Sequence, residues 1–80
     1  MNTVTAIRNR ILQLCEERKI SINNLATISA LPPSSLKGIL YGKSKNPKIL
    51  TIKILCDGVG ITLGEFFSTP EFDRLEQEIE

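Results

Sequence analysis

The sequence predicts an all-α domain, and three observations carry that expectation. Aliphatic residues recur every three or four positions through most of the chain, and no stretch alternates strictly between apolar and polar. Proline and glycine fall between the periodic stretches, at Pro32-Pro33, Gly42, Gly58 and Gly60, and Pro70. Capping residues stand just ahead of apolar runs at Ser21 and Thr62. Five helices follow, with room for a short sixth in the C-terminal segment.

The first helix runs from about Thr3 to Lys19. Val4, Ile7, Ile11, Leu14 and Cys15 share one face, with Arg8, Gln13, Glu16 and Glu17 largely outside. Arg18 and Lys19 close its last turn, where cations suit the helix dipole. Ser21 caps a second helix over about 22–29. Pro32 and Pro33 forbid its continuation, since each lacks an N–H and Pro33 drives residue 32 out of the α region. Pro33 suits the first turn of a third helix, about 33–40, ended at Tyr41-Gly42 with Gly42 as a left-handed cap. A basic loop, KSKNPK, leads to a fourth helix over about 49–57, periodic through Leu50, Ile54 and Leu55 and terminated by Gly58 and Gly60. Thr62 with Glu65 forms the reciprocal capping pattern of a short fifth helix that carries Phe66 and Phe67.

Residues 1–68 make one body large enough for a single core, and residues 69–80 an acidic amphipathic extension. In that extension Phe72, Leu75 and Ile79 form an apolar stripe among Glu71, Asp73, Glu76, Glu78 and Glu80. An isolated helix of this length is marginal in water. The stripe therefore packs back on its own domain, extends a dimer interface, or frays.

Net charge is +1, but it is unevenly spread. Residues 1–53 hold nine Lys/Arg against two Glu, and residues 54–80 one Arg against seven acids. A basic body with an acidic tail is what a phosphate-facing surface asks for. No apolar run approaches the roughly 20 residues of a membrane span, so no membrane association is expected. The N-terminus lacks the pattern of a signal peptide, which makes the cytoplasm the expected compartment. Cys15 and Cys56 lie on apolar faces and read as small buried hydrophobes. With no His the chain offers too few ligands for a zinc site, and no metal or cofactor is expected. No nucleophile stands beside a base and no glycine loop follows a strand, so no catalytic residue is assigned and no enzyme expected.

The most informative window is residues 22–41, INNLATISALPPSSLKGILY. Leu25 and Ala26 face inward from one short helix, and Leu36, Ile39 and Leu40 from the next. Ala30 marks the turn, where a large side chain would hold the helices apart, and Leu31 plugs the gap. This is the geometry of a helix-turn-helix, whose second helix projects into the DNA major groove. Residues 5–67, from the RNRILQLCEERKIS opening through SINNLATISALPPSSLKGIL and GKSKNP to ILCDGVGITLGEFF, resemble the Cro/C1-type helix-turn-helix family of phage-repressor-like regulators.

The resemblance implies a compact five-helix, lambda-repressor-like DNA-binding domain. It places Pro33, Ser34, Ser35, Lys37 and Gly38 toward base edges, and Ser21, Tyr41, Lys43, Lys45 and Asn46 toward backbone phosphates. The family often has glutamine where Ile22 and Pro33 stand. Since Pro33 cannot donate and Gly38 has no side chain, direct readout falls to Ser34 and Lys37, with Ser35 alongside. Leu25, Leu36, Ile39, Ile54, Leu55, Phe66 and Phe67 are expected in the core. The resemblance further implies a homodimer, at least on DNA, joined around Ile49, Leu50, Ile61 and Leu63 and reading a palindromic operator in double-stranded DNA. The expected function is transcriptional regulation, as a repressor. The alternative is a protein-interaction module, such as an antitoxin or anti-repressor, that uses the same helices to bind protein, with residues 70–80 open to a protein partner. A coactivator use of the fold, of eukaryotic type, is a third and more distant reading.

Overall fold

The computed structural model describes residues 1–42 and 45–79. Six helices follow one another without a strand among the described residues: α1 (Thr3–Arg18), α2 (Ile22–Ile28), α3 (Pro33–Leu40), α4 (Ile49–Val59), α5 (Leu63–Phe67) and α6 (Pro70–Asp73). Each of the first five contributes to one core. Ile7, Ile11, Leu14 and Cys15 come from α1, Leu25 and Ala26 from α2, and Leu36, Ile39 and Leu40 from α3. Ile52, Leu55 and Cys56 of α4 and Phe66 of α5 complete it.

The helix starts follow the capping expectations. Ser21 accepts the Asn24 N–H at 3.0 Å. Thr62 and Glu65 bond each other's backbone reciprocally, both at 3.0 Å. Asn2, which had no assigned role, caps α1 by accepting the Thr5 N–H at 2.9 Å.

Three helices end in one and the same motif, which the spacing of apolar residues does not reveal. After α1 the Ile20 N–H bonds Cys15 O and the Lys19 N–H bonds Glu16 O. After α2 the Leu31 N–H bonds Ala26 O and the Ala30 N–H bonds Thr27 O. After α4 the Ile61 N–H bonds Cys56 O and the Gly60 N–H bonds Asp57 O. Each is a Schellman end, in which a left-handed residue reverses the chain and the next residue folds onto the last turn. The left-handed residues are Lys19, Ala30 and Gly60, at φ of 54°, 54° and 77°. The aliphatics that follow, Ile20, Leu31 and Ile61, pack on the core beside Cys15, Ala26 and Cys56. Both cysteines thus sit where a small apolar side chain lets the returning chain close. Burial pushes both thiols up from their ordinary pKa, with Asp57 adding to the effect at Cys56.

Several expectations need correction. Ala30 is exposed and separates no helices; its constraint is the left-handed backbone it must adopt. A left-handed conformation costs a residue with a Cβ about 1–2 kcal/mol, part of which glycine recovers against its greater freedom when unfolded. Ala30→Gly should therefore raise stability by about 0.5–1 kcal/mol, measurable as a higher urea midpoint; an unchanged or lower midpoint would refute that account of the turn.

Gly42 is not a left-handed cap. A Cβ there would lie 2.5 Å from Gly38 O, so the chain needs glycine for close approach. Gly58 does not terminate α4 but lies inside it, pressed against Ser29, whose Cα a Cβ at residue 58 would approach to 3.2 Å. The inner face of α4 is Ile52, Leu55 and Cys56. Leu50 is 66% exposed, and Ile54 and Phe67 are only half-buried. The C-terminal stripe does not lie along a helix. Only Pro70–Asp73 is helical, and 75–79 has no regular structure, because four residues cannot offset helix nucleation without a face to bury. Phe72 alone of the stripe joins the core cluster, and Ile79 is 82% exposed.

Candidate nucleic-acid interface

α3 presents two faces of opposite character. Leu36, Ile39 and Leu40 are buried, while Pro33, Ser34, Ser35 and Lys37 are exposed. Spacings of three and four residues put Ser34, Lys37, Gly38 and Tyr41 on one outward stripe. Gly38 is part of that stripe, and a Cβ built on it meets nothing within 4 Å. Ahead of it Pro32 stands extended with no side-chain cap, and Pro33 opens the first turn. The stripe is therefore level and polar, with Lys37 as its one charge. No carboxylate among the described residues pairs with Lys37 or Lys45.

The residues expected at phosphates flank this helix. Ser21 is exposed at the start of α2, its oxygen engaged by Asn24 and its own O–H left to donate. Tyr41, 68% exposed, closes α3, and Lys45 and Asn46 are exposed in the loop beyond. Lys43 lies outside the described residues, as do Ser44 and Glu80. The four positions expected at a dimer contact divide in two. Ile49 and Leu50 stand exposed at the start of α4, whereas Ile61 and Leu63 are half-buried against their own core.

Two arginines that the charge distribution counts with the basic surface do different work. Arg8, expected outside, turns inward from α1, and its Nε donates to Ile39 O at 2.6 Å. A second, longer bond runs to Gly42 O at 3.4 Å. It thereby satisfies carbonyls that the end of α3 leaves without a helical partner and ties the outward helix to α1. Arg10 does the same at α5, donating to Phe66 O at 2.8 Å and Glu65 O at 3.1 Å, with its guanidinium 5.8 Å from the Phe66 ring centre. Arginine in the middle of a helix carries no sequence signal for this role, because the partners are backbone carbonyls 31 and 56 residues away.

No group of His, Cys, Asp and Glu among the described residues could hold a metal ion. No helix among them is long and apolar enough to cross a membrane. The arrangement is a short helix with one face buried and the other outward, flanked by polar and cationic residues. The Cro/C1-type HTH DNA-binding domain matches residues 10–71. Among solved structures, the crystal structure of the prophage Lp1 protein 11 is similar at a TM-score of 0.81 and 29% sequence identity, over 94% of this chain and 100% of that one. No curated protein matches significantly.

Proposed function

Because the chain belongs to the Cro/C1-type helix-turn-helix DNA-binding family, we propose that it is a sequence-specific transcriptional regulator, a repressor, that inserts α3 into the major groove of an operator. The observation that supports this most is the outward stripe of α3, which no element among the described residues covers while its opposite face is buried. A helix so mounted can approach base edges without rearrangement of the domain.

Base readout falls to Ser34 and Lys37 with Ser35 beside them, Lys37 reaching guanine O6 and N7. Pro33 contributes apolar contact to thymine methyls, and the bare backbone at Gly38 allows close approach. So short a set of donors leaves part of the specificity to DNA shape and deformability. Ser21, Tyr41, Lys43, Lys45 and Asn46 grip the backbone, which positions the helix and makes affinity fall with salt. Two copies related by a two-fold axis, meeting around Ile49 and Leu50 with Ile61 and Leu63 behind, would span half-sites about one helical turn apart. Occupancy of a promoter then blocks transcription in the cytoplasm without any catalytic step.

The test is selection of the purified protein on a random duplex pool at two salt concentrations. An inverted repeat with half-sites about one turn (~10 bp) apart is the expected product. Binding that stays weak, sequence-blind and steeply salt-sensitive would overturn the regulator reading and leave the protein-interaction module in its place.

A further inference from the structure

The C-terminal segment returns to the start of the chain. Glu78 accepts the Thr3 N–H at 3.0 Å and also the Thr3 hydroxyl, so the segment is fastened to the first turn of α1. Glu78 also lines an open groove of about 520 Å³ together with Asn2, Val4, Arg8, Gly42 and Lys45. Three parts of the molecule meet there: the start of α1, the end of α3 that Arg8 holds, and the loop that leads to α4. Gly42 and Lys45 belong to the stretch proposed to grip the DNA backbone. The segment that shares their groove carries Glu71, Asp73, Glu76 and Glu78 and a single cation, Arg74.

We infer that this acidic segment is an internal competitor of DNA: docked through Glu78 on Thr3, it sets a carboxylate in the groove that Lys45 also lines and that a backbone phosphate must approach, and DNA binding displaces it. This rests on the DNA-binding reading above. A polyanion and an acidic segment cannot share one basic groove without repulsion, so DNA prefers the undocked state and shifts the population toward it. The contact is suited to release, since it is made by an exposed side chain from a segment with no regular structure. The apparent affinity for DNA is then reduced by the fraction of molecules in which the segment is undocked, so a docked fraction of about 0.7–0.9 weakens binding about three- to tenfold.

The hydrogen bonds from Thr3 hold the Glu78 carboxyl below the usual carboxylate range. A lowered value in the docked state means that the carboxylate's contribution to docking is fully present above the ordinary glutamate range and is lost as pH falls through the lowered value. The charge that acts on Glu78 is the amino group of Met1, and the other charged groups lining the groove are Arg8 and Lys45. All are cations, so none reverses the sign.

The deciding experiment is fluorescence anisotropy with a labelled random-sequence duplex, comparing the full chain with Glu78→Gln and Glu71→Gln. The two variants change net charge equally, and only the first removes the carboxylate from Thr3. The expected result is binding tightened about three- to tenfold by Glu78→Gln and little changed by Glu71→Gln. The Thr3 amide resonance of the full chain, followed by NMR, should move on addition of DNA toward its position in Glu78→Gln. Equal effects of the two variants, or none, with a Thr3 resonance that DNA leaves in place, would overturn the competitor inference alone. Failure of all three proteins to bind the duplex would instead bring down the DNA-binding reading, and the inference with it.

Discussion

Phe66→Ala is expected to bring this domain close to unfolding, at a cost of about 3–5 kcal/mol. The ring is fully buried, in a T-shaped contact with Phe67 at 4.8 Å and tilted against Phe72 at 6.2 Å. Alanine would leave a cavity beside Phe67 and Phe72, and would also remove the ring over which the Arg10 guanidinium lies. A domain of this size has only about 4–12 kcal/mol to lose, at 0.05–0.15 kcal/mol per residue. Urea unfolding should show a midpoint lowered at unchanged slope, and thermal melting a drop of at least about 12 °C. Phe72→Ala, at a half-buried position, should cost clearly less. Equal costs for the two would mean that the aromatic cluster is held from the C-terminal side, contrary to the burial pattern.

The elements of this fold were legible where local chemistry and core packing agree. The caps Ser21 and Thr62, the Pro32-Pro33 break, and the inward faces of α1, α2 and α3 all follow from residue type and a period of 3.6. The inner face of α4 is not legible in the sequence because Ile49, Leu50, Ile52, Ile54 and Leu55 offer more apolar residues than one face can bury. Periodicity alone then fits more than one choice of face. The Schellman ends at Lys19 and Ala30 were illegible for another reason. A left-handed lysine or alanine breaks the local preference that makes glycine the usual signal, and only the packing of Ile20 and Leu31 on the core sustains it.

The outward stripe of α3 was readable as a pattern, since Leu36, Ile39 and Leu40 fix which residues face away. What holds that helix in place was not. Arg8 on Ile39 O depends on segments that meet only in the folded chain, as does the tight passage of Gly58 of α4 against Ser29 at the end of α2. The docking of Glu78 on Thr3 spans 75 positions and leaves no trace in spacing, so the apolar stripe discloses only the Phe72 part of the C-terminal segment's attachment.

Lys37→Glu is expected to have the largest effect on DNA binding of any single change in the outward stripe, without loss of fold. Lys37 is exposed, near the end of α3, and engages no carboxylate among the described residues, so its replacement disturbs no packing. It is also the only side chain of the stripe that can supply a charged donor to a base, because Pro33 has no N–H, Gly38 has no side chain, and Ser34 discriminates weakly. Loss of a good lysine–guanine contact costs about 1–3 kcal/mol, or roughly 5- to 150-fold in affinity for the selected site. A carboxylate adds repulsion from the phosphates on either side of the groove, which acts on every sequence. Lys37→Ala separates these two parts. It should lower affinity for the selected site while relaxing preference at one base pair, whereas Lys37→Glu should weaken specific and random duplexes together. A Lys37→Ala protein that keeps its full preference would show that the readout lies elsewhere, in the serines at the start of α3 or in the deformability of the duplex. A Lys37→Glu protein that binds the selected site undiminished would remove α3 from the major groove altogether.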